Sequence, residues 1–206
     1  MSQKQKGASL LEVMVAVLVM SLGLLGMAGL QAATAKYRIN IQANAVVAQL
    51  VSDFSERVRV NPNAAGPSFD SASGVGSSSY VLLSTWNAQA ADKLSMTVDC
   101  ETTVCTSSQR AEFDLVSWRR RVRNELPQGS AIVQGNRRDG IDITLMWMDK
   151  EQTSSEVDPE TGKGNRSLQK AALCKADALG TIVHNCCPGI AAAPEGVRCL
   201  RMSFLP

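Results

Sequence analysis

The stretch Lys4–Leu30, KQKGASLLEVMVAVLVMSLGLLGMAGL, decides the architecture of this 206-residue chain. From Val13 to Leu30 it holds no charged residue, and about 20 apolar residues in a helix span a bilayer core. The segment is long enough to cross a membrane, with little to spare. Two residues fit that description poorly: Glu12 stands at the edge of the apolar run, and Gly7 separates the run from Lys4 and Lys6. A secretory signal peptide has such a basic start, but its apolar part is about 7–15 residues long and a small-x-small cleavage site follows. Here the run is longer, Gln31-Ala32-Ala33-Thr34-Ala35 is a weak site of that kind, and Glu12 has no place. A plain signal anchor, its lysines held in the cytoplasm, explains topology. It leaves Glu12 as an uncompensated charge that costs about 2.5–3.5 kcal/mol on insertion scales.

The rest of the chain is ordinary in composition. Hydrophobic residues make up 45% of it, and its length suits one or two domains. The net charge is +2; without Lys4 and Lys6 the 21 basic residues become 19, against 19 acidic ones. A neutral chain has no overall field to draw nucleic acid or anionic lipid. All six cysteines, Cys100, Cys105, Cys174, Cys186, Cys187 and Cys199, follow the apolar segment. An even number beyond a membrane segment points to disulfides in an oxidising compartment rather than to free buried thiols.

The helical pattern continues past the apolar run. Ile39, Ala43, Val46, Leu50, Phe54 and Val58 recur at three- or four-residue spacing between polar residues, which makes an amphipathic helix. Asn61-Pro62-Asn63 ends it, because the residue before a proline avoids helical geometry. One helix from Ala8 to Val60 is expected, about 75 Å long at 1.5 Å per residue. Ala64–Ser79 is small, polar and glycine-rich and is expected to be a flexible surface connection. Tyr80–Thr85 suits a short strand or a helix start equally, and Ser95–Cys100 alternates weakly. Cys100 and Cys105 enclose ETTV, a spacing that suits a small disulfide loop; no second close pair with histidine follows at zinc-finger spacing.

A helix is expected over about Ser108–Leu126, with Ala111, Leu115, Trp118, Val122 and Leu126 as its apolar stripe. Glu112 and Asp114 near its start and the arginines near its end suit the helix dipole, and Pro127 and Gly129 stop it. The run Arg119-Arg120-Arg121-Val122-Arg123 invites a nucleic-acid reading, but a solvated face with local acid partners is the expectation. Strands are expected at Ala131–Gln134, Ile141–Met148 and Val197–Phe204, with Ile141, Ile143, Leu145 and Trp147 on one face of the second. Arg138-Asp139-Gly140 reads as a turn and Lys150–Arg166 as a long charged loop. The sum is an α+β domain, a small antiparallel sheet with helices packed on one face. Cys174, His184, Cys186, Cys187 and Cys199 cluster late; they have the donor chemistry for zinc, but disulfides are the expectation. Adjacent Cys186 and Cys187 are expected to take different partners, such as Cys199 and Cys174, and six cysteines allow 15 pairings.

Lys4-Gln5-Lys6-Gly7-Ala8-Ser9-Leu10-Leu11-Glu12 resembles the class III leader of type IV prepilins. The resemblance implies that a prepilin peptidase cuts between Gly7 and Ala8 and methylates the new N-terminus at Ala8. Glu12 becomes the fifth residue of the mature chain, where the family places its glutamate. A carboxylate one turn from a fresh ammonium, on the same chain or a neighbour, turns two costly buried charges into a pair. If the amine belongs to a neighbour, the pair also sets subunit register in a fibre. The sequence departs from the family in starting its mature part with Ala8 rather than Phe or Met. It also carries Gly23, Gly26 and Gly29 where major pilins tend to have a helix-breaking proline. Each glycine weakens a helix by about 1 kcal/mol relative to Ala, which suits local melting, and small residues equally suit close helix contact.

The implied architecture is the type IV pilin fold. Residues 1–7 form the leader, 8–61 a long helix (membrane-spanning to about residue 30, amphipathic after), and 62–206 a globular domain outside the cytoplasm. The continuation EVMVAVLVMSLGLLGMAGLQ, the cysteine pair, the Trp-bearing helix ending Leu126-Pro127-x-Gly129-Ser130 and the Trp147 strand look like the PilV-type minor pilins, the type IV pilus modification proteins. That implies a minor subunit of the priming complex that starts pilus assembly, located at the tip, supporting adhesion and twitching motility. Its implied partners are the prepilin peptidase and methyltransferase, other minor pilins, the major pilin, the inner-membrane assembly platform, and membrane lipid before assembly. Its implied location is the bacterial inner membrane, single-pass with the N-terminus cytoplasmic and the globular domain periplasmic, then the surface fibre. A minor pseudopilin of type II secretion shares the leader, but the Asp-rich spacing of a calcium site is absent. A DNA-uptake pilin would rest on Arg119–Arg123. No cofactor, metal or nucleic acid is expected. Nor is an enzyme: His184 is the only imidazole, and no Ser/His/Asp spacing or carboxylate pair stands out.

Overall fold

A computed structural model describes residues 10–66, 78–157, 164–175 and 184–206. Helix α1 runs Leu10–Val60. It is shared between two compact units, Met1–Ala45 and Val46–Pro206. In the first unit α1 exposes its apolar side chains, from Leu10 to Leu30. Leu10–Ala35 is the one helix among the described residues long and apolar enough to cross a membrane, and none of it is buried. Helix is unbroken through Gly23, Gly26 and Gly29.

The second unit begins within α1 because the helix turns core-forming there. Val47, Leu50, Phe54 and Val58 are fully buried, so the stripe runs through Val47 where the spacing had suggested Val46, which is half-buried. Asn61 leaves the helix with φ −125° and ψ 60° ahead of Pro62, outside the helical region that a residue before proline avoids. Pro62–Ala65 then forms a single 3-10 turn with Ala64 and Ala65 buried, and Ser78 is buried too. These ends of the expected surface connection therefore belong to the core; the residues between them, 67–77, lie outside the described residues.

Tyr80–Thr85 is neither strand nor helix. Leu82 makes one bridge to Val133, and Thr85 caps α2 (Trp86–Ala91) by accepting a hydrogen bond from Ala88 N. Helix α3 spans Ser107–Glu125 and opens with a capping box between Thr106 and Gln109, which satisfies two otherwise orphaned amides. Its buried stripe includes Ala111, Asp114, Trp118 and Val122. Leu115, expected there, is half-exposed. Asp114 is buried and ion-paired rather than serving the helix dipole.

Strands β1 (Ser130–Asn136), β2 (Gly140–Met148) and β5 (Val197–Phe204) form an antiparallel sheet in the order β1-β2-β5. The register puts Ala131, Leu145 and Leu200 side by side on one face, with Val133, Ile143 and Met202 next to them. The other face carries Ile132, Met146, Cys199 and Val197, which pack with Trp86, Cys187, Ala191 and Ala193. The sheet is thus covered on both faces, not one. Trp86 of α2 and the disulfide-linked segment before β5 supply the second cover, and this is why Thr144 and Met146 are buried along with Ile143 and Leu145. The expected loop Lys150–Arg166 contains a hairpin, β3 (Thr153–Val157) with β4 (Gly164–Leu168). Its strands are Ser- and Thr-rich, so no apolar alternation advertised them. The α+β class of the sequence reading is what the structure has.

Candidate functional site

Glu12 sits in the first turn of α1, exposed, with no ion pair among the described residues. Helical geometry of about 100° per residue places Ala16, Val19, Gly23, Gly26 and Leu30 on its face, and Gly29 about a quarter-turn away. No heavy atom comes within 4 Å of a Cβ built at Gly23, Gly26 or Gly29. The face bearing the lone carboxylate is therefore also the face where another helix backbone can approach most closely. Gly7 and Ala8, the expected cleavage and methylation positions, lie outside the described residues.

In the second unit a polar lock fastens α1 to α3. Arg57 donates to Asp53 Oδ2 and to Asp114 Oδ1, both at 3.2 Å. The Tyr80 hydroxyl donates to Asp114 Oδ2 at 3.1 Å and accepts from Asn61 Nδ2 at 3.1 Å, while Asn61 Nδ2 also reaches Ser107 O at 2.8 Å. Burial raises the Asp114 carboxyl above its ordinary value, with the Tyr80 hydrogen bond and the Arg57 charge opposing. Burial raises the Tyr80 phenol as well, against the Asn61 hydrogen bond. Around the lock pack Phe54, edge-on to Tyr80 with centroids 5.7 Å apart, and Trp118, whose ring lies 4.5 Å from that of Phe54. The Trp118 indole donates to Leu50 O at 2.8 Å. None of Asn61, Tyr80 or Arg57 carried a sequence signal for this role. Apart from Asp53, four residues from Arg57, the groups they bond in the lock lie 19 to 57 residues away.

The arginine run is bonded within the domain. Arg119 pairs with Asp92 at 2.7 Å, and Arg121 with Asp53 at 3.1 Å and Glu125 at 3.0 Å. Arg120 donates to Leu94 O, and Arg123 to Asp92 O and Gln89 O. The Asp92 carboxyl is held below its usual range by the Leu94 amide first and Arg119 next. Nucleic-acid phosphates would have to compete with these contacts.

The six cysteines form three disulfides: Cys100–Cys105, Cys174–Cys186 and Cys187–Cys199. The first closes the ETTV loop that leads into α3. The third ties the segment covering the sheet to β5. His184 is exposed, its Nδ1 3.3 Å from Arg201 O. Among the described residues no group of three or more His, Cys, Asp or Glu side chains is placed to hold a metal.

Residues 2–28 match the family model of the prokaryotic N-terminal methylation motif. No curated protein and no solved structure matches the chain. The motif covers the leader and most of the exposed apolar helix, and it supports a type IV pilin or pseudopilin family. It implies processing by a prepilin peptidase, membrane anchoring through the apolar helix, and assembly with pilus components. Proteins built on it are structural subunits rather than enzymes. The α+β architecture, with its N-terminal apolar helix and small antiparallel sheet, is consistent with the pilin fold.

Proposed function

We propose that the chain is a minor pilin of a type IV pilus, of the PilV modification-protein type, and acts in the priming complex that starts fibre assembly. It stays at the fibre tip and supports adhesion and twitching. Residues 1–7 are the leader, 8–61 the assembly helix and 62–206 the globular domain. Cleavage falls between Gly7 and Ala8, Ala8 is methylated, and Glu12 sets register against a neighbouring subunit's N-terminus.

The observation that carries this reading is the leader motif joined to an apolar helix whose single carboxylate lacks an ion pair among the described residues. A charge left in that setting costs about 2.5–3.5 kcal/mol, and an ammonium from a neighbour removes most of the cost. The bonded arginines favour a structural subunit over a DNA-uptake pilin. Mass spectrometry of the N-terminal peptide from sheared surface fibres tests it. The expected peptide begins at a methylated Ala8. A native chain still beginning at Met1, or one trimmed beyond the apolar helix, overturns the reading; a mature chain absent from fibres whose deletion blocks protein secretion assigns it to a type II secretion pseudopilin.

A further inference from the structure

Cys105, Val60, Ser107 and Arg110 help line an open groove of about 570 Å³ between the end of α1 and the start of α3. The disulfide partner of Cys105 lies deeper. Cys100 is only 7% exposed, while Cys105 is half-buried. The bond therefore has an inner cysteine and an outer one at the groove wall. Neither of the other two disulfides combines an outer cysteine with the start of a helix. Both ends of Cys187–Cys199 are 1% exposed and belong to the cluster under the sheet. Cys174–Cys186 ends on Cys186, also 1% exposed, and it spans 12 residues of sequence against 5, so opening it frees more chain.

The setting of Cys105 favours an approaching thiolate. It stands immediately before Thr106, the N-cap of α3. The capping box uses the Gln109 amide, and among the described residues the Ser107 and Ser108 amides have no acceptor. Free amides and the helix dipole make this end positive, a setting that stabilises thiolates. The acids of the groove are already paired, Asp53 and Asp114 with Arg57 and Glu56 with Arg59. Arg110 has no ion pair among the described residues. Asp99 and Glu101 of the loop oppose this field, but the Asp99 carboxylate accepts from Glu101 N at 2.9 Å. The loop also has bonds of its own that do not need the disulfide. Thr103 N donates to Asp99 O at 3.0 Å, and the capping box holds the start of α3. The Cα atoms of Cys100 and Cys105, 5.6 Å apart, thus stay within disulfide reach when the bond opens.

We propose that Cys100–Cys105 is a thiol–disulfide exchange site, with Cys105 as acceptor and Cys100 as resolving cysteine. An incoming thiolate attacks Cys105 Sγ, the Cys100–Cys105 bond breaks, and Cys100 leaves as a thiolate that takes a proton from water. Cys105 then holds the partner in a mixed disulfide. Cys100, deprotonated again, attacks Cys105 Sγ, re-forms the first bond and releases the partner's thiolate. The cycle consumes no oxidant or reductant. The partner is a cysteine of another polypeptide flanked by aliphatic residues. Val60, on the groove rim, is 84% exposed, and Val104, next to Cys105, is 98% exposed, so apolar surface on both sides of the site awaits cover. This inference stands apart from the pilin reading and survives its failure.

The test treats the full-length protein in detergent micelles with acetyl-Leu-Cys-Leu-amide or with glutathione, at equal thiolate concentration. Samples are quenched in acid at intervals, alkylated and mapped by mass spectrometry, with near-UV circular dichroism following the fold. The first product should carry the peptide on Cys105 and the alkylating group on Cys100, with the other four cysteines still paired and the fold intact. This bond should open about tenfold or more faster than either of the others, as an exposed disulfide does relative to buried ones. The peptide should react about fivefold faster than glutathione through aliphatic contact, and Val60→Asn with Val104→Asn should remove that advantage. Removing the free peptide at neutral pH should restore the Cys100–Cys105 bond. First attack at Cys100 or at another disulfide, no adduct on Cys105 before the fold is lost, an adduct that persists after the peptide is removed, or equal rates for peptide and glutathione overturns the proposal.

Discussion

Replacing Asp114 with Ala should loosen the lock between α1 and α3, and its cost can be worked group by group. Asp114 accepts from the Tyr80 hydroxyl at 3.1 Å and from Arg57 at 3.2 Å. Tyr80 is fully buried and retains only a 3.4 Å approach to Arg57 O, so its donor is effectively orphaned, at about 1–3 kcal/mol. Arg57 keeps Asp53 and is 26% exposed, so losing its second partner costs about 1 kcal/mol rather than the 3–5 of a deeply buried pair. The total is about 3 kcal/mol, and at about 2–4 °C per kcal/mol for a chain of this size the midpoint should fall by about 6–12 °C. Asp114→Asn keeps an acceptor for Tyr80 and should fall by only about a third as much. The two variants also differ from the wild type in pH response. Burial raises the Asp114 carboxyl, so the folded state binds that proton more tightly than the unfolded one. The wild type therefore loses stability as pH rises from the ordinary carboxylate range through the folded value, and Asp114→Asn should remove that component. Near-UV circular dichroism of the full chain in micelles, with Trp118 reporting, measures all three. Equal midpoints for wild type and Asp114→Ala, or equal losses for the Ala and Asn variants, refute the reasoning.

The Gln89 side chain pairs with both backbone groups of Ala131 and with Ser84 O, plugging the outer edge of β1. Gln89→Leu should cost about 1–3 kcal/mol and promote edge-to-edge association, seen as a heavier species in sedimentation; a stable, unassociated variant contradicts it. Cys187→Ser with Cys199→Ser opens a span of 12 residues and should cost about 3 kcal/mol, against about 2 for the shorter Cys100–Cys105 loop. Equal denaturation midpoints for the two double variants would count against this ordering. Glu12→Ala should be processed normally yet be missing from sheared fibres, and a bulky residue at Gly7 should leave the full-length chain in the membrane; both are read on immunoblots of cell and fibre fractions. Normal incorporation of Glu12→Ala removes its register role, and a shift of the Gly7 variant to mature size removes the cleavage site.

The elements legible in the sequence were those whose signal is local. The apolar run, the helix stop at Asn61-Pro62, the Trp118 helix and the strands around Ile143 and Leu200 each repeat at their own period within a short window. The β3–β4 hairpin was hidden because Ser154, Ser155 and Ser167 give no hydrophobic alternation. Its strands are joined by backbone pairing and by one Ser154–Ser167 hydroxyl contact at 3.1 Å. Leu115 was placed in the core and Asp114 outside it because hydrophobicity alone cannot foresee that a buried carboxylate will find both a guanidinium and a phenol.

By itself the sequence determined the membrane-length helix with its lone carboxylate, since length, apolarity and a charge out of place are properties of consecutive residues. Only the tertiary structure decided which cysteines join, that the sheet is covered on both faces, and that Arg57, Asn61, Tyr80 and Asp114 form one lock. Those outcomes depend on groups brought together from distant parts of the chain. Their hydrogen bonds gain free energy only when burial has already removed water from every partner at once.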